Sequence, residues 1–191
     1  MVGEETLSCL VKLQQPGLVD AYFTDLKLDD PDPVASQRKR RVAIAFMTAL
    51  GEPATNELCH ALETGNDQAR WVAARALPAQ ANPAADRCIL DNALSQDPGA
   101  RAAATIALRL LLSTGRIGPD RAWPLTQALS RDGDLRVRAE SVPVVAMFDF
   151  AHAIPALATL EKDPEPAVAD VARRTTESLR SYRFMNPDRP Y

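Results

Sequence analysis

The 191-residue chain is short of the side chains that most often carry chemistry. Histidine occurs twice, as His60 and His152, and each is followed by alanine, which leaves no His-Glu ligand pair. The three cysteines, Cys9, Cys59 and Cys88, have no Cys-x-x-Cys spacing, so neither a zinc ribbon nor a motif of that redox type can be written. The eight glycines form no phosphate-cradling loop, and His-Glu-x-x-His and Gly-x-Ser-x-Gly are missing. Glu57 and His60 have the spacing used by di-iron carboxylate sites, but no second copy exists. Cys59 and His60 are neighbours on a predicted helix, where adjacent side chains point about 100° apart, too far to act as nucleophile and base. No metal and no cofactor is expected.

Other absences bound the setting. No apolar run approaches the roughly 18 residues that span a membrane. Met1-Val2-Gly3-Glu4-Glu5 lacks the basic and apolar stretches of a secretory signal. With an odd cysteine count, the expectation is a cytoplasmic protein whose cysteines act as small hydrophobes. A formal net charge of −3 argues against a general binder of phosphate backbones. The run Arg38-Lys39-Arg40-Arg41 is expected to be a solvated helix face offset by Asp29, Asp30 and Asp32.

What the chain does have is alanine and repetition. Hydrophobic residues make up 46 %, much of it alanine, which favours helices and close helix–helix approach. One segment recurs as Ala69-Arg70-Trp71-Val72-Ala73-Ala74-Arg75-Ala76-Leu77, as Ala100 to Leu108, as Val137 to Val145, and in a worn copy at Val168 to Thr176. The copies stand 31 or 37 positions apart, a period that signals a repeat architecture. Within them, Ala100, Ala103, Ala104, Ala107, Leu108, Leu111 and Leu112 follow three-and-four spacing, which predicts helix.

Each repeat reads as a first helix, an acidic turn and a second helix. The expected pairs are Thr55–Glu63 with Gln68–Ala79, Ala84–Leu94 with Gly99–Ser113, Asp120–Leu129 with Leu135–Phe148, and Ala151–Leu160 with Pro166–Tyr182. An irregular first unit covers 1–53, with helices over Glu5–Leu13, Leu18–Leu28 and Val34–Leu50. Residues 54–182 form the four repeats and 183–191 a tail, all in one domain. Asp32-Pro33, Asp97-Pro98 and Asp163-Pro164 each offer a capping carboxylate followed by proline at a first helical position. Gly51, Gly115 and Gly118 are expected just past helix ends. Pro143 falls inside a second helix and is expected to kink it.

Two stretches carry a family resemblance. Asp132-Gly133-Asp134-Leu135-Arg136-Val137-Arg138 and Ala73-Ala74-Arg75-Ala76-Leu77 resemble the opening and close of HEAT-like repeats of the short bacterial kind. That pattern runs acidic turn, Val-Arg, two variable residues, a small pair, one residue, Ala-Leu. The resemblance covers about residues 54 to 182 and implies an all-α, right-handed α-solenoid of about five helix pairs. It also implies a structural ladder, because the repeat arginine commonly pairs with a turn acid of its own or the adjacent repeat. Arg70 would then meet Asp67, Arg101 would meet Asp97, and Arg138 would meet Asp132 or Asp134. The first unit lacks the Val-Arg register, and Ala169 stands where the fifth repeat would have arginine.

The resemblance implies architecture rather than activity. HEAT-like repeats include the protein-lysine hydroxylase that modifies hypusine, whose ligands are His-Glu pairs, and alkyl-purine DNA glycosylases, whose groove is basic and aromatic. Here there are no such pairs and only scattered arginines, so neither activity is expected. The positions between the core-facing ones define an inner groove with Trp71 and Arg75, then Thr105, Ile106 and Arg109, then Val142, and finally Arg174. Its apolar middle and arginine ends suit a helix or loop of a protein partner. The expected function is therefore a non-catalytic interaction module, a monomer or weak homo-oligomer. A phycobilin-lyase-like or tetrapyrrole-handling chaperone is the alternative, and an immunity-type inhibitor a third.

Overall fold

The structure, a computed structural model, describes Leu28 and residues 31–185, with Met185 described as backbone only. Among these residues every regular element is helical: α1 Pro33–Leu50, a 3-10 turn at Glu52–Ala54, α2 Thr55–Thr64, α3 Asp67–Ala79 and α4 Pro83–Asn92, then α5 Pro98–Ser113, α6 Pro119–Leu129, α7 Leu135–Val145, α8 Phe150–Leu160 and α9 Pro166–Met185. The architecture is all-α. The helices expected over Glu5–Leu13 and Leu18–Leu28 lie outside the described residues save for Leu28, as does the tail after Met185. The fold divides into two compact units, residues 1–92 and 93–191, so the boundary falls inside the repeat expected over 84–113.

Local chemistry explains where helices start. Asp32 accepts the amide of Val34, and Asp97 accepts those of Gly99 and Ala100, each ahead of a proline at the first helical position. Asn66 and Asp134 cap α3 and α7 in the same way. Asp163 does not: α9 begins three residues later, at Pro166. Gly51 and Gly115 take φ of 65° and 70°, left of the helical region, which an alanine would resist. Gly118, with φ −75°, instead stands ahead of α6 as its N-cap. Pro143 is carried within α7, which ends two residues later at Val145, short of the expected Phe148.

In the first unit, α1 packs on α3, and α2 packs on both α3 and α4. Met47, Leu58, Leu62, Val72, Leu77 and Ile89 are buried there. A polar clamp holds the start of α2 to the connection after α3: Thr55 Oγ1 donates to Gln80 Oε1 at 2.7 Å and accepts from Asn82 Nδ2 at 2.8 Å. Asn82 Oδ1 in turn accepts the amides of Ala84 and Ala85 and so caps α4.

In the second unit the second helices stack in succession, α5 on α7 and α7 on α9, as in an α-solenoid. The first helices α6 and α8 each pack on α7 as well. One core cluster joins Val142 and Val145 of α7, Ala153, Leu157 and Leu160 of α8, and Val168 and Ala172 of α9. Small side chains on the facing helices permit this close approach.

Candidate functional site

The arginines at the repeat position make the most regular polar structure in the second unit. Arg101 sends Nε and Nη2 to the two carboxylate oxygens of Asp132 at 2.7 and 2.8 Å. Its Nη1 donates to the carbonyls of Ser95 and Gln96 in its own turn. Arg138 repeats the arrangement with Asp163 at 2.6 and 2.9 Å, and with the carbonyls of Asp132 and Gly133. Each guanidinium thus stitches its own turn to the next one. This corrects the expected partners. Asp97 and Asp134 cap their own helices, and the arginine fork instead reaches the acid of the next repeat's turn.

The paired acid occupies a fixed slot. Asp132 and Asp163 each also accept the amide two residues on, from Asp134 and Glu165. In the turn before α5 the same slot holds Ser95, whose hydroxyl accepts the amide of Asp97 at 3.2 Å. Bonding to the guanidinium holds Asp132 and Asp163 below the usual carboxylate range and raises Arg101 and Arg138 above theirs. For Asp134, burial pushes upward but is outweighed by Arg136 and the helix amides. Arg70 sits one repeat earlier and donates to the Glu63 carbonyl at 2.5 Å.

Trp71 and Arg75 lie together on α3, both half-buried. The Arg75 guanidinium carbon is 3.8 Å from the Trp71 ring centroid, within cation–π range, and Nη1 donates to the Trp71 carbonyl at 3.1 Å. Arg40 of α1 also lies over this ring, at 5.2 Å. A pocket of about 550 Å³ opens here, lined by Trp71 with Arg40, Arg41 and Ile44 of α1. No spacing in the sequence links Arg40 to Trp71, some thirty residues away, and the packing of α1 on α3 brings them together.

On the second unit the expected groove residues separate. Ile106 and Arg109 are half-buried on α5, and Arg174 is exposed on α9 with Nε donating to the Asp170 carbonyl at 3.3 Å. Thr105 and Val142 are not groove residues, since both are fully buried. The Thr105 hydroxyl is satisfied by the Arg101 carbonyl at 2.7 Å, and Val142 belongs to the core cluster. Helix α7 has neighbours on α5, α6, α8 and α9, so its buried arc is wider than a two-helix contact would make it. The open surface lies further along. A hollow of about 520 Å³ is lined by Ala146 after α7 and by Val171, Arg174, Leu179 and Tyr182 of α9.

Two other features escaped the sequence reading. Cys59 of α2 and Cys88 of α4 form a disulfide, with Cα atoms 6.0 Å apart. They are a cross-link rather than isolated small hydrophobes, so the odd count does not argue for a reducing compartment. Trp123 of α6 packs edge-on against Phe148 and His152, at centroid distances of 4.8 and 4.9 Å. His152 Nδ1 is 2.7 Å from Asp149, whose carboxyl it holds below the usual range. Among the described residues no group of three or more histidines, cysteines and carboxylates is placed to hold a metal. No described helix is long and apolar enough to cross a membrane.

No protein-family model matches the chain, and no curated protein matches it in sequence.

Proposed function

We propose that the chain is a HEAT-like helical-repeat module that binds a protein partner, without catalytic chemistry of its own, on surfaces its second helices leave open. The observation that carries this reading is the hollow beside α9. Val171 and Tyr182 keep 37 % and 39 % of their surface exposed there, next to Ala146 and Leu179, with Arg174 among them. Apolar side chains left in water around one concavity, with an arginine beside them, are the usual makings of a protein contact. The rungs at Arg101 and Arg138 support the same reading, because a stiff stack presents its surface with little ordering cost on binding.

The test is capture from a native lysate by the immobilised chain, compared with Val171→Glu/Tyr182→Ala and with Trp71→Ala/Ile106→Glu. Capture should be lost in at least the first variant while far-UV helicity is kept. A partner held equally by wild type and by Val171→Glu/Tyr182→Ala would refute the assignment.

A further inference from the structure

Helices α6 and α8 each pack on α7, and they meet one another where Trp123 of α6 lies edge-on to His152 of α8. Beside that contact a cavity of about 330 Å³ opens. Trp123 and Gln127 of α6, with Arg131 just beyond it, line one side, and His152, Pro155 and Thr159 of α8 line the other. None of these residues borders the hollow beside α9. No carboxylate lines the cavity. Asp149, the N-cap of α8, is engaged by the His152 amide and by Nδ1 of its ring. Among the described residues, the indole N–H of Trp123, the carboxamide of Gln127 and the guanidinium of Arg131 enter no hydrogen bond or ion pair.

We infer that this cavity binds a small aromatic carboxylate, a function separate from the capture of a protein partner. Its volume stands at the low end of the range for small-molecule sites, which suits a ligand of one or two rings. Trp123 and Pro155 supply flat apolar surface, against which a planar ring packs better than a puckered one. The three unengaged groups can all donate, and the one charge among them is positive, so they select an anion. The planar fork of Arg131 meets both oxygens of a carboxylate, whereas a cation would face it as a like charge. Arg131 is exposed while Trp123 is half-buried, which sets the carboxylate at the mouth and the ring within.

The chain has two tryptophans, so an isotope-labelled sample gives two indole N–H resonances, and Trp71→Phe identifies that of Trp123. Titration of the unmodified chain with phenylacetate should move the Trp123 resonance saturably and leave that of Trp71 in place. Neutral phenylacetamide and puckered cyclohexylacetate should both bind more weakly. Arg131→Gln, at an exposed position, should raise the dissociation constant for phenylacetate roughly tenfold at unchanged far-UV helicity. The site is overturned if the Trp123 resonance does not move saturably, or if either analogue binds as well as phenylacetate. A folded Arg131→Gln chain that binds like wild type would overturn it too. Both analogue comparisons use the unmodified chain, so they decide even where that variant fails to fold. Loss of protein capture through Val171 and Tyr182 bears on the module reading and leaves this site standing.

Discussion

Arg138 grips Asp163, the acid of the turn between α8 and α9 one repeat further on, and leaves Asp134 to cap its own helix. The division of labour follows from reach. A capping carboxylate must sit within two or three residues of the amides it accepts. The arginine is long enough to serve its own turn through one nitrogen and the next turn through the other two. Repeat-to-repeat order in the second unit is therefore written in a polar stitch as well as in apolar packing.

Breaking the stitch has a predictable cost. The Arg138 and Asp163 side chains retain only 13 % and 4 % of their exposure, against 19 % and 11 % for Arg101 and Asp132. Arg138→Ala strands a nearly buried carboxylate and should lower the unfolding free energy by about 2–4 kcal/mol, with Arg101→Ala costing less. Urea melts of the two variants, with a double-mutant cycle through Asp163→Asn, measure the coupling. A loss below about 0.5 kcal/mol for Arg138→Ala would mean the pair is ornamental.

The same rungs set an acid limit. Asp132 and Asp163 have depressed values in the folded state, so between the folded and unfolded values the unfolded chain binds more protons. Their stabilisation is complete above the unfolded carboxylate value of about 3.9 and is lost as pH falls through the folded values. Unfolding free energy followed downward from pH 5 should drop less steeply in Asp132→Asn/Asp163→Asn than in wild type. Parallel curves would show that other carboxylates govern acid unfolding.

The Cys59–Cys88 cross-link closes a loop with a sequence separation of 29. Loop-closure entropy for that length corresponds to about 3–4 kcal/mol. Cys59→Ser and Cys88→Ser should each lower the denaturation midpoint by a similar amount, and a reductant should destabilise wild type but neither variant. A midpoint unmoved by reductant would mean that the two thiols are not joined in solution.

Much of this fold could be read from the chain because the signals are local. Three-and-four spacing, Asp32-Pro33 and Asp97-Pro98 placed helices and starts close to where they lie. What escaped was set by neighbours. Asp163-Pro164 resembles a cap in sequence, yet its carboxylate is held by Arg138 and the Glu165 amide, while α9 starts at Pro166 as its expected range has it. The meeting of Arg40 with Trp71 and the Cys59–Cys88 bond both depend on how helices pack, which no spacing within one helix encodes.

Thr105 and Val142 show the same limit at the site itself, and they can be tested against Ile106. A periodic pattern assigns one buried stripe per helix, but α7 has four neighbours and buries Val142 completely. Val142→Ala should therefore leave a cavity among Val145, Leu157 and Val168 and cost about 2 kcal/mol, while leaving partner capture intact wherever the chain stays folded. Ile106→Glu, at a half-buried position on α5, should cost about 1 kcal/mol, less than Val142→Ala. Thermal melts alongside capture assays separate the two cases. If Val142→Ala removes capture at unchanged melting temperature, Val142 faces the partner after all and the core cluster around it is misplaced.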